Sequence, residues 1–225
     1  MLELGIKFLL SYFTGSLMGS MIVGKVRGGI DIRSMGSGNA GGTNALRTQG
    51  WKFGLAVLLI DVGKGALAAG IVPSLELPLV GNDPSISRVW LTFSCAAAVV
   101  MGHVWPIWYN FRGGKGAATL IGTLIVLAPG LLLPVLLVWA WMLALFGYVG
   151  LATMSAGIFA PFYLALTRWP EDQPLFLYGL FFSLYLIYSH RSNIQRMLAG
   201  TEPQNTHLMV FRRERKKPGP DVDDD

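Results

Sequence analysis

Residues 117–147 read AATLIGTLIVLAPGLLLPVLLVWAWMLALFG, a run without one charged side chain. About 20 apolar helical residues cross a bilayer core of about 30 Å. The run is therefore too long for one crossing and has the composition of two. Pro129, Gly130 and Pro134 mark where it turns, because a proline inside a helix removes a hydrogen bond and clashes with the preceding turn. Working outward, residues 4–24 are uncharged apart from Lys7, residues 53–72 carry only Asp61 and Lys64, and residues 89–105 are uncharged. Residues 150–166 and 175–189 complete the set. The expected fold is all-α, a polytopic integral membrane protein of seven transmembrane helices.

The whole composition agrees. Of 225 residues, 52% are hydrophobic and 14% charged, against about 25% charged in a soluble domain. Cys95 is the single cysteine, which excludes a disulfide scaffold and leaves redox compartment unread. Residues 4–24 are long for the core of a signal peptide, and no small-x-small site precedes Lys25, so they read as a span. The net charge of +5 is not a nucleic-acid signature here, since the basic residues fall between apolar runs. Residues 1–202 make up the transmembrane unit. Residues 203–225 read as a polar, disordered cytoplasmic tail, with the basic cluster at 212–217 against anionic lipid and no role expected for His207.

Lys and Arg near span ends mark the cytoplasmic side. Lys25, Arg27, Arg33 and Arg47 lie in the first connection, Arg112 and Lys115 in the third, and Arg191 and Arg196 after the last span. The alternate connections are poor in them: residues 73–87 hold Glu76 and Asp83 and no Lys or Arg. Seven spans, or five if two segments are re-entrant, put the three basic segments on one face, with the N-terminus outside and the C-terminus in the cytoplasm.

Those segments also hold the polar chemistry. The first reads MGSGNAGGTNALR over residues 35–47. Its glycines let backbone N–H groups turn toward an anion, while Ser37, Asn39, Thr43, Asn44 and Arg47 add donors. Gly36-x-Gly38-x-x-Gly41 matches a dinucleotide fingerprint, with Asp61 near the distance of the ribose acid. That reading fails, because the fingerprint needs a preceding strand in a soluble βαβ unit. The second segment contains Gly113-Gly114-Lys115-Gly116. Tyr109 stands where a P-loop needs glycine and Gly116 where it needs Ser or Thr, so nucleotide hydrolysis is not expected. An ammonium beside a helix N-terminus remains, and it favours anions. The third segment is His190-Arg191-Ser192-Asn193-Ile194. If the last helix continues past the membrane, His190, Asn193 and Ile194 share a face. His190 there is either a donor to phosphate or a general base, with a solvated juxtamembrane stretch as the close second reading of this segment alone. Asp61 and Lys64, inside a span, are costly and so functional candidates; at i, i+3 a salt bridge explains them, and they are assigned a supporting role with His103. No metal-ligand set occurs.

Together the segments resemble the bacterial membrane glycerol-3-phosphate acyltransferases that use acyl phosphate. The resemblance rests on Gly36-Ser37-Gly38-Asn39 with Gly41, Thr43-Asn44 and Arg47; on Gly102-His103, Pro106 and Phe111-Arg112-Gly113-Gly114-Lys115-Gly116; and on His190-Arg191, Asn193-Ile194 and Arg196. Asp61-x-x-Lys64-Gly65 is similar to a further family feature. The resemblance implies a seven-helix fold, no metal or other cofactor, and transfer of a fatty acyl group from acyl phosphate to the 1-hydroxyl of sn-glycerol 3-phosphate. Lysophosphatidic acid and phosphate are the implied products, in the first acylation of phospholipid biosynthesis. It further implies the bacterial inner membrane, a cytoplasm-facing site, and as partner a soluble enzyme that supplies acyl phosphate, but no nucleic acid. Two positions depart from the family: Val149 and Gly150 replace serines that follow the aromatic residue, and Ala40 replaces a proline.

The expected catalytic residues are His190, Ser37 and Lys115. Arg47, Asn193, Gly38, Asn39, Gly41, Gly42, Thr43, Asn44, Gly113, Gly114 and Gly116 are expected around the phosphates. The His-x4-Asp pair of other glycerolipid acyltransferases is absent. Acyl phosphate is an activated anhydride, so positioning and charge stabilisation can carry most of the rate. The proton acceptor is either His190 or a substrate phosphate oxygen. A phosphate-ester transporter is the rival reading, weakened by polar groups gathered on one face; a non-enzymatic membrane scaffold has no need of Arg, Lys and His on three facing loops.

Overall fold

The computed structural model describes residues 1–211, and among these residues every regular element is helical. The main helices are α1 (Leu2–Ser16), α2 (Gly19–Val26), α3 (Gly42–Gln49), α4 (Trp51–Gly70), α5 (Arg88–Val104), α6 (Ala117–Leu127), α7 (Pro129–Phe146), α8 (Val149–Thr167), α9 (Gln173–Ser189) and α10 (Arg191–Leu198). Helices α4, α5, α7 and α8 are each long and apolar enough to cross a membrane. The pair α1–α2 meets the same test as one element bent by 46°, and α6 and α9 are apolar but shorter. The seven apolar runs of the sequence thus all fold as helix, four or five of them at full crossing length. Leu133 and Trp141 of α7 are 66% and 68% exposed, as lipid-facing side chains must be.

Helix α4 sits centrally, packed on α1, α2, α3, α5 and α6. Small residues set its approach distances. A Cβ on Gly65 would collide with the Thr119 carbonyl of α6, and one on Gly122 with the Val62 carbonyl of α4. Gly15 meets Val99 and Gly102 meets Tyr12 in the same way between α1 and α5. In lipid, where apolar burial provides little drive, backbone contact of this kind holds helices together.

The long uncharged run breaks at one proline only. Helix α6 ends at Leu127, Ala128 turns, and Pro129 occupies the first turn of α7, where its missing N–H costs nothing. Pro134, expected to help break the run, lies inside α7. The first span, expected to be continuous, is instead interrupted between Ser16 and Gly19. No proline causes this; a buried ion pair from α4 supports it. Lys64 donates to the carbonyls of Gly15 (2.8 Å) and Leu17 (2.9 Å), and Asp61 accepts from the Gly19 amide (3.1 Å). Asp61 and Lys64 lie 3.0 Å apart. The pair satisfies the backbone groups that the break leaves open in a dry interior.

Replacing Lys64 by methionine leaves the Asp61 carboxylate buried without its cation, which should cost about 3–5 kcal/mol. A lowered midpoint of thermal unfolding in detergent micelles is the expected readout. The double variant Asp61→Asn/Lys64→Met should recover only part of the loss, because the carbonyls of Gly15 and Leu17 remain without a donor. Wild-type stability in Lys64→Met would show that the pair does not hold the break.

At the far end of the bundle, Glu3 binds Lys7 (2.8 Å) and the two terminal guanidinium nitrogens of Arg88 (2.5 and 2.9 Å). Arg88, the first residue of α5 after that connection, is therefore neutralised locally. At the other end, residues 203–211, assigned from sequence to the disordered tail, lie against the α7–α8 junction. The Asn205 amide donates to the Gly147 carbonyl (2.9 Å) and that of Val210 to Ala144 (3.0 Å). The basic cluster at 212–217 and the rest of the tail lie outside the described residues.

Candidate active site

The three basic segments meet at one end of the bundle. Arg33 of the first connection reaches the Tyr109 carbonyl of the third at 3.3 Å, and Lys115 of the third hydrogen-bonds the Asn193 side chain on α10. Gly150 of α8 completes the contact, since a Cβ there would lie 3.0 Å from Asn193. The absence of a side chain at Gly150 thus makes room for the asparagine side chain.

Around Lys115 the charges are unequal. Asn193 donates its amide to the Glu202 carboxylate at 2.7 Å, and Arg196 binds the other Glu202 oxygen at 2.7 Å. Glu202 is buried. Burial pushes the Lys115 ammonium down to about 8, and the positive charges of Arg196, Arg191 and Arg47 push the same way against the opposing effect of Glu202. Four cations thus converge with one carboxylate, an arrangement that attracts a multivalent anion. The first turn of α6 opens beside them with amides that lack intrahelical partners.

Helix α9 does not run straight on. It closes at Ser189 and α10 begins at Arg191, so His190 sits at the joint. Its Nδ1 lies 2.8 Å from the Leu186 carbonyl. A carbonyl only accepts, so Nδ1 carries the proton and Nε2 holds the free lone pair. Burial first, and then the charge of Lys115, push the imidazole down to about 4. At neutral pH it is an uncharged acceptor.

The first loop differs from expectation in how its groups are used. Asn44, expected among the phosphate contacts, is buried and braces the loop. It donates to the carbonyls of Ile32 (2.9 Å), Met35 (3.0 Å) and Asn39 (2.9 Å) and accepts from the Ser37 amide (3.0 Å). The Gly38 amide is taken by Met35 and that of Gly41 by the Asn39 side chain. Gly36 and Gly38 have φ of +55° and +71°, which lets this tight turn close. The exposed groups are the Ser37 hydroxyl, Thr43 and Arg47, with the N-terminus of α3 opening at Gly42.

The Gly113 and Gly114 amides likewise donate to the carbonyls of Val104 and His103, both at 3.1 Å. They extend the end of α5 and do not face a ligand. Gly114 is required because a Cβ would collide with the His103 ring, and His103 Nδ1 lies 3.4 Å from Asp61. The ion pair of α4 thereby supports the turn that carries Lys115. Gly116, with φ of +85°, caps α6. Asn193, expected as a ligand contact, has both ends of its amide committed to Lys115 and Glu202, so it positions the lysine. The sequence does not single out Glu202, the partner of Arg196; a lone carboxylate following so many cations is its available signal.

Below Lys115 and His190 an apolar cavity of 320 Å³ runs between α6, α7, α8 and α9. Its walls include Ala117, two residues past Lys115, and Leu186, whose carbonyl holds His190.

Comparison with known proteins places these features. Residues 5–200 match the family model described as glycerol-3-phosphate acyltransferase. A glycerol-3-phosphate acyltransferase of Chlorobium luteolum is 37% identical over 220 residues, covering 87% of this chain and 94% of the relative. That of Salinibacter ruber is 38% identical, covering 91% and 93%. Two crystal structures of PlsY (YgiH), an integral membrane glycerol 3-phosphate acyltransferase, superpose well. The glycerol 3-phosphate form has a TM-score of 0.77 at 31% identity and the lysophosphatidic acid form 0.76 at 30%, each covering 89% of this chain and 94% of that one.

Proposed function

The chain belongs to the glycerol-3-phosphate acyltransferase family and is a multi-pass integral membrane protein; from that premise we propose that it transfers a fatty acyl group from acyl phosphate to the 1-hydroxyl of sn-glycerol 3-phosphate. The products are lysophosphatidic acid and inorganic phosphate. The observation that carries this reading is the junction of the cation cluster around Lys115 with an apolar cavity. One ligand must be phosphorylated and the other, or the product, must have a long apolar chain.

In the reaction the hydroxyl oxygen attacks the acyl carbon, the bond from that carbon to the phosphate oxygen breaks, and the hydroxyl proton leaves. Lys115 and the first-turn amides of α6 balance charge on the departing phosphate. Arg47, Ser37 and Thr43 hold the phosphate of glycerol 3-phosphate. His190 accepts a hydrogen bond from the hydroxyl at Nε2. Because its pKa lies well below the useful range for a general base near pH 7, a phosphate oxygen of the leaving group is the better final proton acceptor. His190 then orients the nucleophile. Asp61, Lys64 and His103 support the site through the turn at Gly114.

The proposed topology has seven crossings, with α1–α2, α6 and α9 added to the four long helices, the N-terminus outside and the site facing the cytoplasm. Its support is that the basic connections meet at one end of the bundle. In a bacterial inner membrane this lets a soluble enzyme deliver acyl phosphate directly.

Purified protein given synthetic palmitoyl phosphate and glycerol 3-phosphate should form lysophosphatidic acid, with palmitoyl-CoA as the control donor. Product from the thioester alone would overturn the donor assignment. Lys115 keeps its proton below pH about 8 and loses it above. Accordingly, kcat/KM, which reports the free enzyme, should fall as pH rises through about 8. In Lys115→Arg the charge persists, so any remaining activity should lack this alkaline limb.

A further inference from the structure

We propose that the cavity between α6 and α9 is a measuring site for the acyl chain, closed at its floor by Leu131, Leu164, Leu175 and Tyr178, and that these residues set the preferred chain length. The inference rests on the reading of acyl phosphate as donor. The lining nearest the site is Ala117, Thr153 and Leu186, two residues past Lys115, at the start of α8 and one helical turn from His190, so the proposed mouth is at that end. The antiparallel courses of α8 and α9 carry the lining away from that end of the bundle to the floor. Leu131, Leu164 and Leu175 are at most 2% exposed. Tyr178 is pinned there by a 2.9 Å hydrogen bond to Thr123 and by ring contact with Phe182 at 4.7 Å. A pinned tyrosine and three packed leucines form a floor that does not yield to a longer chain.

Two helices give the same depth. From Leu186 to Leu175 on α9, and from Thr153 to Leu164 on α8, the rise is roughly 16 Å at 1.5 Å per residue. An extended chain with bonds of about 1.5 Å and angles near 111° advances about 1.25 Å per carbon, so about 13 carbons fit below the mouth. The turn from Leu186 up to His190 adds roughly 6 Å, about four or five carbons more at the same advance. The full length suits an acyl group of about 16–18 carbons. An acyl chain that comes from lipid gains little from apolar burial as such, and selection then works by fit: a short chain leaves the floor unfilled and a long one overpacks it.

The test uses a substitution at each level. Ala160 lines the cavity on α8, one turn above Leu164. Ala160→Leu raises the floor and Leu164→Ala lowers it. Acyl phosphates of 12, 16 and 20 carbons, mixed at equal mole fraction in one micelle with glycerol 3-phosphate, compete for each enzyme. The ratio of lysophosphatidic acids formed then gives the ratio of kcat/KM whatever fraction of the protein is folded. Wild type should favour 16 carbons. Ala160→Leu should shift the 12-to-16 product ratio toward 12 by about tenfold, within the usual cost of overpacking a filled site, and Leu164→Ala should shift the 20-to-16 ratio toward 20. Equal ratios in all three enzymes would overturn the proposal and assign the cavity to bilayer lipid. Failure of wild type to use any acyl phosphate would overturn the donor reading itself.

Discussion

Lys115→Ala should lower kcat by roughly 10²- to 10³-fold while the protein still folds, the loss seen when one group that stabilises developing charge is removed. The lysine is the point where the site's three segments join: it follows the end of α5, precedes α6 and hydrogen-bonds Asn193 on α10. Removing it takes a cation from the departing phosphate and lets Asn193 turn. Turnover at pH 7, measured beside thermal unfolding of the same preparation, separates chemistry from folding. Near-wild-type turnover would remove Lys115 from the reaction.

The second large effect is expected at a carboxylate. Glu202→Ala removes the acceptor of both Asn193 and Arg196. Each charge-assisted bond lost should cost about 1.5–3 kcal/mol, and activity should fall by roughly 10²-fold as Lys115 loses its bracing. Glu202→Gln is the more informative variant. It can keep the bond to Asn193 but loses the negative charge that opposes the lowering of the Lys115 pKa. The alkaline limb of kcat/KM should therefore move below pH about 8, in the direction of earlier proton loss. A stable Glu202→Gln enzyme with an unmoved limb would show that Glu202 acts on packing alone.

Much of this architecture is legible in the sequence because membrane solvation is a strong constraint. The uncharged run of residues 117–147 breaks at Pro129, and the segments around Arg47, Lys115 and His190 share one end of the bundle. Asp61 and Lys64 form the pair that their spacing suggests. What composition cannot reveal is how a polar loop spends its own hydrogen bonds. Asn44 looks like a ligand donor and is a brace; the amides of Gly113 and Gly114 look free and are claimed by α5. The break after Ser16 is equally hidden, since no proline marks it and its cause lies far along the chain, at residues 61 and 64. Glu202 is hard to read from sequence because an acid is unexpected among phosphate-binding cations, although a crowded set of positive charges needs one to stay in place.

The interrupted first span also bears on how the protein is assembled during synthesis. The carbonyls of Gly15 and Leu17 and the amide of Gly19 have their partners on Lys64 and Asp61. Those partners do not exist when the N-terminal segment leaves the ribosome. A segment with bare backbone groups in its middle is a poor solute for hydrocarbon, so it must wait at the insertion machinery, or bridge its gap with water, until α4 arrives. The bent α1–α2 element and α4 should then enter the bilayer as a matched pair, joined by the Asp61–Lys64 couple during insertion as they are in the folded protein.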